Sequence, residues 1–590
     1  MRTKTRHAIF QPCALASAIA LGCVAPVQAV TFNIGEVEAQ FDSQLSVGAS
    51  WSVRGADPDF VSVASGGKAS SRTSDDGRLN FKKGETFSKI FKGIHDLELK
   101  YGDTGVFVRG KYWYDFETKD ESRLFYDIDD HNRKEAAQAS GAQILDAFIY
   151  HNYSLGDLPG SVRVGKQVVS WGESTFIGNS INSINPIDAA AFRRPGAEIK
   201  EGLIPVNMLY VAQSLTDSVS MEAFYQLEWD QTIVDNCGTF FSTADVLADG
   251  CDDRLAVFGP DLPPGESNNS FAPGENVYIP RAGDRDARDS GQYGLALRWF
   301  AESLNDTEFG LYAMNYHSRG PVFSTIRTTT PNFTSFIPGA PNAGYFLEYP
   351  EDIRLYGLSF QTNVGGTALS GEVSYRPNMP MQINSTDLSF GALGLPFNPV
   401  FESGHAKNVA GADIHGYERK PFTQAQVTAV HFIDRVLGAS RLTLLGEVGY
   451  NHISGISEAP GELRFGRDPI YGAGEFSVPG VCAAFNAANP DECQGDGFYT
   501  SSSWGYRLRA SADYSNVFAG VNLSPSVAWS HDVDGYGPNF NEGSKAISIG
   551  LSALYQNAYT ASLSYTDFFG GEYNTITDRD FVALSFGVSF

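Results

Sequence analysis

A closed antiparallel β-barrel that crosses a membrane is the fold class this 590-residue sequence predicts: all-β, about eighteen strands, short periplasmic turns, long extracellular loops and some loop segments folded into the lumen. Three observations carry that expectation. At 581–590 the chain alternates, with Val582, Leu584, Phe586, Val588 and Phe590 on one face and Ala583, Ser585, Gly587 and Ser589 on the other. Strand side chains have period two, so this segment is apolar on one side and small and polar on the other, as a wall between lipid and a wet lumen requires. No run approaches the roughly eighteen apolar residues of a membrane helix, and mean hydropathy is only -0.20 although 13% of residues are aromatic. Only helices and closed barrels satisfy every backbone polar group in lipid, so alternation points to the barrel. Third, short and long connections alternate along the chain, as in barrels with turns on one side and loops on the other.

In chain order, residues 1–29 read as a secretory leader, with basic Arg2, Lys4 and Arg6, an apolar stretch at 14–24 and the small-residue site VQA at 27–29; Cys23 offers a lipoprotein site as the alternative. Residues 30–590 read as a single outer-membrane barrel domain, because no linker, fixed-period repeat or compositional break divides them. At 37–53 the odd positions Val37, Ala39, Phe41, Leu45, Val47, Trp51 and Val53 oppose a polar even face. That alternation outruns a bilayer crossing, so one end stands beyond the membrane. Further strands fall near 87–101, 105–116, 143–153, 161–171, 204–214, 218–230, 289–300, 307–318, 351–363, 367–376, 421–434, 440–453, 504–514, 518–532, 544–556, 558–568 and 580–590. Tight turns are marked at 102–105, 215–218, 364–367 and Ser515-Asn516. Long connections run near 54–86, 117–142, 172–203, 231–288, 319–350, 377–420 and 454–503, which puts both termini on the periplasmic side of a Gram-negative outer membrane. The terminal Phe590 resembles the signal by which such barrels are recognised for insertion.

A net charge of -25 argues against nucleic acid as a partner and leaves outer-membrane lipid and lipopolysaccharide as the surroundings. Cys237, Cys251, Cys482 and Cys493 fall two in each of two outer loops, and sequence proximity favours local pairing over the other connectivities or a thiolate metal site. Charges of both signs lie on the lumen parity, since lipid would penalise them: Arg109, Lys111, Asp115, Arg163, Glu222, Glu228, Arg298, Glu372, Arg376, Arg441 and Glu447. No cofactor is expected beyond loop calcium, for which Asp127, Asp129 and Asp130 beside His131, and Asp284, Asp286 and Asp289, are candidates lacking the full spacing of a known loop. No G-x-S-x-G, H-E-x-x-H or phosphate loop occurs, so no enzyme is expected. An outer-membrane hydrolase would have to assemble His151, His317, His431, His452 or His531 with an acid and a serine in space.

Two long connections carry patterns wasted in free solvent. In the stretch from Trp171 through Phe176 to Phe192, Arg193 and Arg194, Ile177, Ile181, Ile184 and Ile187 recur at three-to-four spacing between Asn and Ser, an amphipathic pattern. A second stretch runs from Pro377 through Leu388, Phe390, Leu393, Leu395, Phe397, Val400 and Phe401. Such loops fold into a barrel, meet a ligand or partner, or pack as a cap. Pro525 interrupts the alternation at 519–532, which places it at a bulge, an interrupted seam or a lateral gate.

The stretches VSWGESTFIGNSINSINPIDAAAFRRPGAEIKEGLIPVNMLY, FYQLEWDQTIVDNCGTFFS, YPEDIRLYGLSFQTN with GEVSYRPNMPMQIN, and FAGVNLSPSVAWSHDVDGYGPNF resemble the domain-of-unknown-function family numbered 1302. The resemblance implies a porin-like outer-membrane barrel. It also implies two partners, an RND-type inner-membrane transporter and a periplasmic protein of lipoprotein-carrier type, and a hydrophobic cargo such as a terpene, steroid, alkane or fatty acid. It brings no catalytic residues. The expected function is therefore transport of a hydrophobic or amphipathic small molecule, with a diffusion porin for small polar solutes, an outer-membrane hydrolase and a structural or receptor barrel as alternatives. Its pathway is expected at Trp171, Phe176, Ile181, Ile184, Phe192, Arg193, Arg194, Phe390, Leu393 and Phe397.

Overall fold

The computed structural model describes residues 30–251, 255–259, 261–262, 270, 275–329, 342–457, 459, 461–485 and 489–590; the leader read at 1–29, with Cys23, lies outside them. The barrel strands are β1 Val37–Ser52, β2 Thr86–Tyr101, β3 Thr104–Asp115, β4 Ser140–Leu155, β5 Leu158–Gln167, β6 Val206–Ser214, β7 Val219–Gln226, β8 Tyr293–Ala301 and β9 Thr307–Tyr316, then β10 Ile353–Val364, β11 Thr367–Gln382, β12 Tyr417–Asp434, β13 Arg441–Ile453, β14 Ser502–Phe518, β15 Val521–Asp534, β16 Lys545–Tyr555, β17 Tyr559–Phe569 and β18 Phe581–Ser589. Each is antiparallel to the next. The ladder from Gln44↔Ser589 to Ser52↔Phe581 joins first to last and closes the sheet. Closure leaves no unpaired edge, which is what the bilayer core demands. The low end of β1 does stand past the closing strand, where its residues 37–41 pair with Val30–Ile34.

The outer face is apolar, with Leu295, Leu311, Leu358, Val427, Leu508, Ile549, Leu563 and Phe586 exposed. Toward the long-loop rim the cross-strand pairs Tyr225↔Tyr293, Tyr356↔Tyr375 and Tyr450↔Trp504 form an aromatic girdle of the kind that seats at a lipid interface. His95 and Ser43 meet at 2.8 Å on this same outward parity, with His95 stacked on Phe41.

The inner face differs between its two sides. On β6–β10 it is apolar and buried, with Met208, Tyr210, Phe224, Ala296, Tyr312, Met314 and Leu355. On the opposite side one cross-strand row reads Ser511, Ser526, Gly550, Ser564, Ala583, Ser50, so that wall is lined by small residues.

Several sequence expectations are corrected here. The turn placed at Ser515-Asn516 lies at 519–520, because β14 runs on to Phe518. The connection expected at 377–420 shrinks to 383–416: β11 continues through Pro377 by a register shift between Arg376 and Met379, where the missing N–H is tolerated. Of the readings at Pro525, the bulge is not formed and the seam with β14 is interrupted. Its register with β16 is unbroken, its pairing with β14 lapses between Ser511↔Ser526 and Tyr514↔Leu523, and its side chain shares the outward parity of Val527.

Above the outer rim the long connections pack together. A three-stranded sheet of Val322–Ile326, Gly344–Glu348 and Asp413–Ile414 and the helix Ser385–Ala392 share a core that includes Val277, Ile279, Tyr345, Ile383, Leu393 and Phe465. Asn384 caps that helix by accepting from the Asp387 N–H at 3.0 Å. Both local disulfides, Cys237–Cys251 and Cys482–Cys493, lie in these connections.

Candidate functional site: a belt inside the lumen

The connection between β5 and β6, residues 168–205, turns into the barrel and is fastened by inward side chains from nearly every side. Its first excursion follows β7 to β13. Trp171 is buried against Phe224 and Tyr312, and its indole N–H donates to Glu222 Oε2 at 2.7 Å. Gly172 adopts φ +88 in contact with the Glu372 carboxylate, a turn and an approach that a Cβ would block. Glu372 then accepts from the Glu173 and Ile181 N–H groups. Glu447 accepts three consecutive amides, from Thr175 at 2.9 Å, Phe176 at 2.6 Å and Ile177 at 2.8 Å. Arg376, fully buried, supplies the complementary donors to the carbonyls of Asn179 and Ser180 at 3.0 and 2.7 Å, and to Ser183 Oγ and Tyr316 Oη. These wall charges are thus hydrogen-bond partners for a backbone that has no sheet or helix of its own.

The three-to-four apolar spacing of Ile177, Ile181, Ile184 and Ile187 is not carried by a helix in this segment. Ile181 and Ile184 are nonetheless buried against the apolar side of the wall, Ile181 where Gly357 leaves room for it, and Ile177 packs beside Gly449. The apolar spacing thus reports burial without a helix, because backbone amides and carbonyls bind Glu447, Glu372 and Arg376 instead of one another.

The second excursion follows β3, β2, β1 and β18. Asp188 caps the short helix Ala189–Arg193 and accepts from Lys111 Nζ at 3.0 Å. Lys92 Nζ binds Glu201 at 2.7 Å and the Gly196 carbonyl at 2.7 Å, while Pro195 reaches β1 at Gly48. Arg193 pairs with Asp235 at 2.5 Å and stacks on Phe241; burial pushes the Asp235 carboxyl up and Arg193 opposes it. Arg194 stacks on Trp113 and donates to the Ala136 carbonyl.

The belt does not bury all of its apolar side chains. Phe176 is 40%, Ile187 42%, Phe192 44% and Ile199 74% exposed. Since the segment's polar groups hold the wall, these side chains border the remaining lumen. Ile199 on the belt and the exposed, inward-parity Arg509 on β14 are two further lumen-side positions absent from the sequence reading. The signal available was the inward row of β6–β10, apolar where other strands carry Ser or Gly.

The remaining candidates fall elsewhere. Phe390 and Phe397 pack on Phe476 beside Cys482, and Leu393 lies in the cap core, so this segment builds the cap and is not folded into the lumen. Arg109 forms a two-pronged pair with Asp96 at 2.7 and 2.8 Å and reaches Asp146, Arg163 stacks on Tyr210 at 4.1 Å, and Arg298 bridges Glu222 and Glu308. Asp115 caps the helix Phe116–Asp120, Glu228 lies past β7 and accepts from Asn207, and Arg441 is an exposed rim residue paired with Asp434; these three do not line the mid-lumen. Of the acids read as calcium candidates, Asp130 pairs with Lys119 and Asp284 with Arg281, Asp127 and Asp129 accept from loop amides, Asp289 accepts from the Trp229 N–H, and Asp286 lies in the field of Lys134, Asp249 and Asp284. His151, His317, His431 and His531 bond or stack in separate places, with Thr104, Ser290, Thr367 and Tyr506 respectively, and His452 lies on β13.

A closed sheet with an apolar outer face, an aromatic girdle and a lumen crossed by a pinned segment defines a porin-like transmembrane barrel of the outer membrane. Within that class the chain belongs to DUF1302, a family of proteins of unknown function, whose model matches residues 11–590. No match is found among the curated proteins. Among solved structures, similarity is found to Pseudomonas aeruginosa OpdK with vanillate (11% identity, 93% of this chain and 98% of that chain, TM-score 0.38). Acinetobacter baumannii OccAB1 (10%, 96% and 99%, 0.40) and the outer membrane channel DcaP of Acinetobacter baumannii (11%, 95% and 99%, 0.34) are similar in the same measure.

Proposed function

We propose that this protein conducts a hydrophobic or amphipathic small molecule, of lipid, terpene, steroid or fatty-acid type, across the outer membrane. One observation carries the reading: inside a barrel whose β14–β17 wall presents Ser511, Ser526, Gly550 and Ser564, the belt leaves Phe176, Ile187, Phe192 and Ile199 exposed, while its polar backbone is satisfied by Glu372, Arg376 and Glu447. A cargo with one apolar side would lie on the belt and keep its polar end on the serine wall near Arg509. Delivery by a periplasmic carrier coupled to an RND-type transporter fits such a cargo, because an apolar solute needs a shielded path on both sides of the wall. The polar-solute porin is favoured by the serine wall alone.

The test is uptake into proteoliposomes of a fluorescent fatty-acid analogue and of a small sugar, for the wild type and Phe176→Ser/Phe192→Ser/Ile199→Ser. The apolar flux should fall several-fold, with heat-modifiable folding retained. Unchanged apolar flux, or faster sugar than lipid flux in the wild type, would replace this reading with the porin.

A further inference from the structure

Away from the belt, four aspartates from two outer connections converge: Asp75 and Asp76 from 53–85, and Asp245 and Asp261 from 227–292, with one carboxylate oxygen of each lying within 4.8 Å of the others. Asp75 is 1% and Asp245 9% exposed. Each has one oxygen committed, Asp75 Oδ2 to the Ser62 N–H at 2.9 Å and Asp245 Oδ2 to the Asp76 N–H at 3.4 Å. Their Oδ1 atoms are buried and accept no hydrogen bond among the described residues. A buried carboxylate oxygen without a donor is costly, and two in one cluster of four acids multiply the cost through like-charge repulsion.

Two arginines lie near the cluster, and neither donates a hydrogen bond to Asp75 or Asp245 among the described residues. Arg78 binds Asp578 and the carbonyls of Ser74 and Thr575, while Arg579, beside Asp578 over the Phe240 ring, adds a buried positive charge in the field of Asp245. We propose that Asp75, Asp76, Asp245 and Asp261 form a calcium site that clamps the 53–85 connection to the 227–292 connection over the outer mouth. One oxygen from each of four carboxylates, completed by water, makes an irregular all-oxygen set that suits calcium's flexible coordination better than magnesium's strict octahedron. The site's surroundings are already tightly joined: Gly77 packs against the Thr239 carbonyl, Asn80 donates to the Gly238 carbonyl at 2.9 Å, and the Cys237–Cys251 disulfide fixes the same stretch. Tyr126 Oη donates to Asp76 Oδ2 at 2.7 Å and so places a phenol ring beside the ion.

The experiment uses the folded full chain in detergent, stripped with EDTA and titrated with calcium by calorimetry, alongside Asp75→Asn/Asp245→Asn. One calcium per chain should bind the wild type, with that site lost in the double variant. No uptake by the wild type, or equal uptake by both, would overturn the site. Should the double variant fail to fold, terbium decides on the wild type and Tyr126→Leu: phenol-sensitised emission competed by calcium and lost in Tyr126→Leu supports the site. Its absence in the wild type, or its persistence in the Leu variant, overturns the site.

Discussion

Replacing Glu447 by Ala removes the acceptor for three successive belt amides. Hydrogen bonds to a charged group contribute about 1.5–3 kcal/mol each, and Thr175, Phe176 and Ile177 donate to this one carboxylate at 2.9, 2.6 and 2.8 Å. The gross loss is therefore roughly 4–9 kcal/mol. Water entering the space left by the side chain restores part of it, and losses of about 3–5 kcal/mol are usual when one partner of a buried charged contact is removed. At about 1.4 kcal/mol per factor of ten, the detached population of the first excursion should rise roughly a hundredfold to several thousandfold. Glu447→Gln keeps one carbonyl oxygen and turns an N–H toward the remaining donors, so it should fall between. Amide hydrogen exchange reads this directly: protection at 175–177 should drop by that factor in Glu447→Ala, while amides of β13 itself stay protected by their ladders to β12 and β14. Single-channel records should show added fluctuating conductance. Protection within tenfold of wild type would mean that the carboxylate does not hold the belt, and the account of the site would fail.

Gly357→Leu tests the same belt from the other wall. A Cβ at this position would lie 2.8 Å from Ile181 Cδ1, so the variant should displace Ile181 at a cost of about 1–3 kcal/mol and raise conductance without loss of the barrel. Reducing the cap disulfides, which close separations of 14 and 11 residues, should destabilise the cap by about 3 kcal/mol each and speed its proteolysis, with heat-modifiable barrel migration unchanged. His415 is raised above its ordinary value by its hydrogen bond to Glu348, with partial burial and Arg285 opposing and Asp413 assisting. A raised histidine contributes stability fully below its unfolded value and loses it as pH rises through the folded one. Cap resistance to protease should thus fall as pH climbs above about 6.5, and His415→Gln should remove that slope.

The barrel was legible in the sequence because its determinants are local. Period-two alternation at 581–590 and elsewhere, Gly-rich turns such as 364–367, and the alternation of short and long connections fix strand, rim and parity without reference to distant residues. Ala583, Ser585, Gly587 and Ser589 read as the lumen side of the last strand for the same reason, and lipid penalises the opposite choice. The local cysteine pairing was equally readable, since both separations are short.

What the sequence left open is where irregular chain goes, because that is decided by partners far away in it. Ile177, Ile181 and Ile184 announced a buried face, yet only the tertiary structure brings Glu447 and Arg376, some 200–270 residues on, to replace a helix's own hydrogen bonds. Phe390, Leu393 and Phe397 have the same apolar character as the belt residues, but they found Phe476 and the cap core instead of the lumen. Asp75 and Asp245 are unremarkable loop acids until the fold buries them together. Alternation along one strand is set by the pleat; the meeting of two loops is set by which walls are left uncovered, and no local pattern records that.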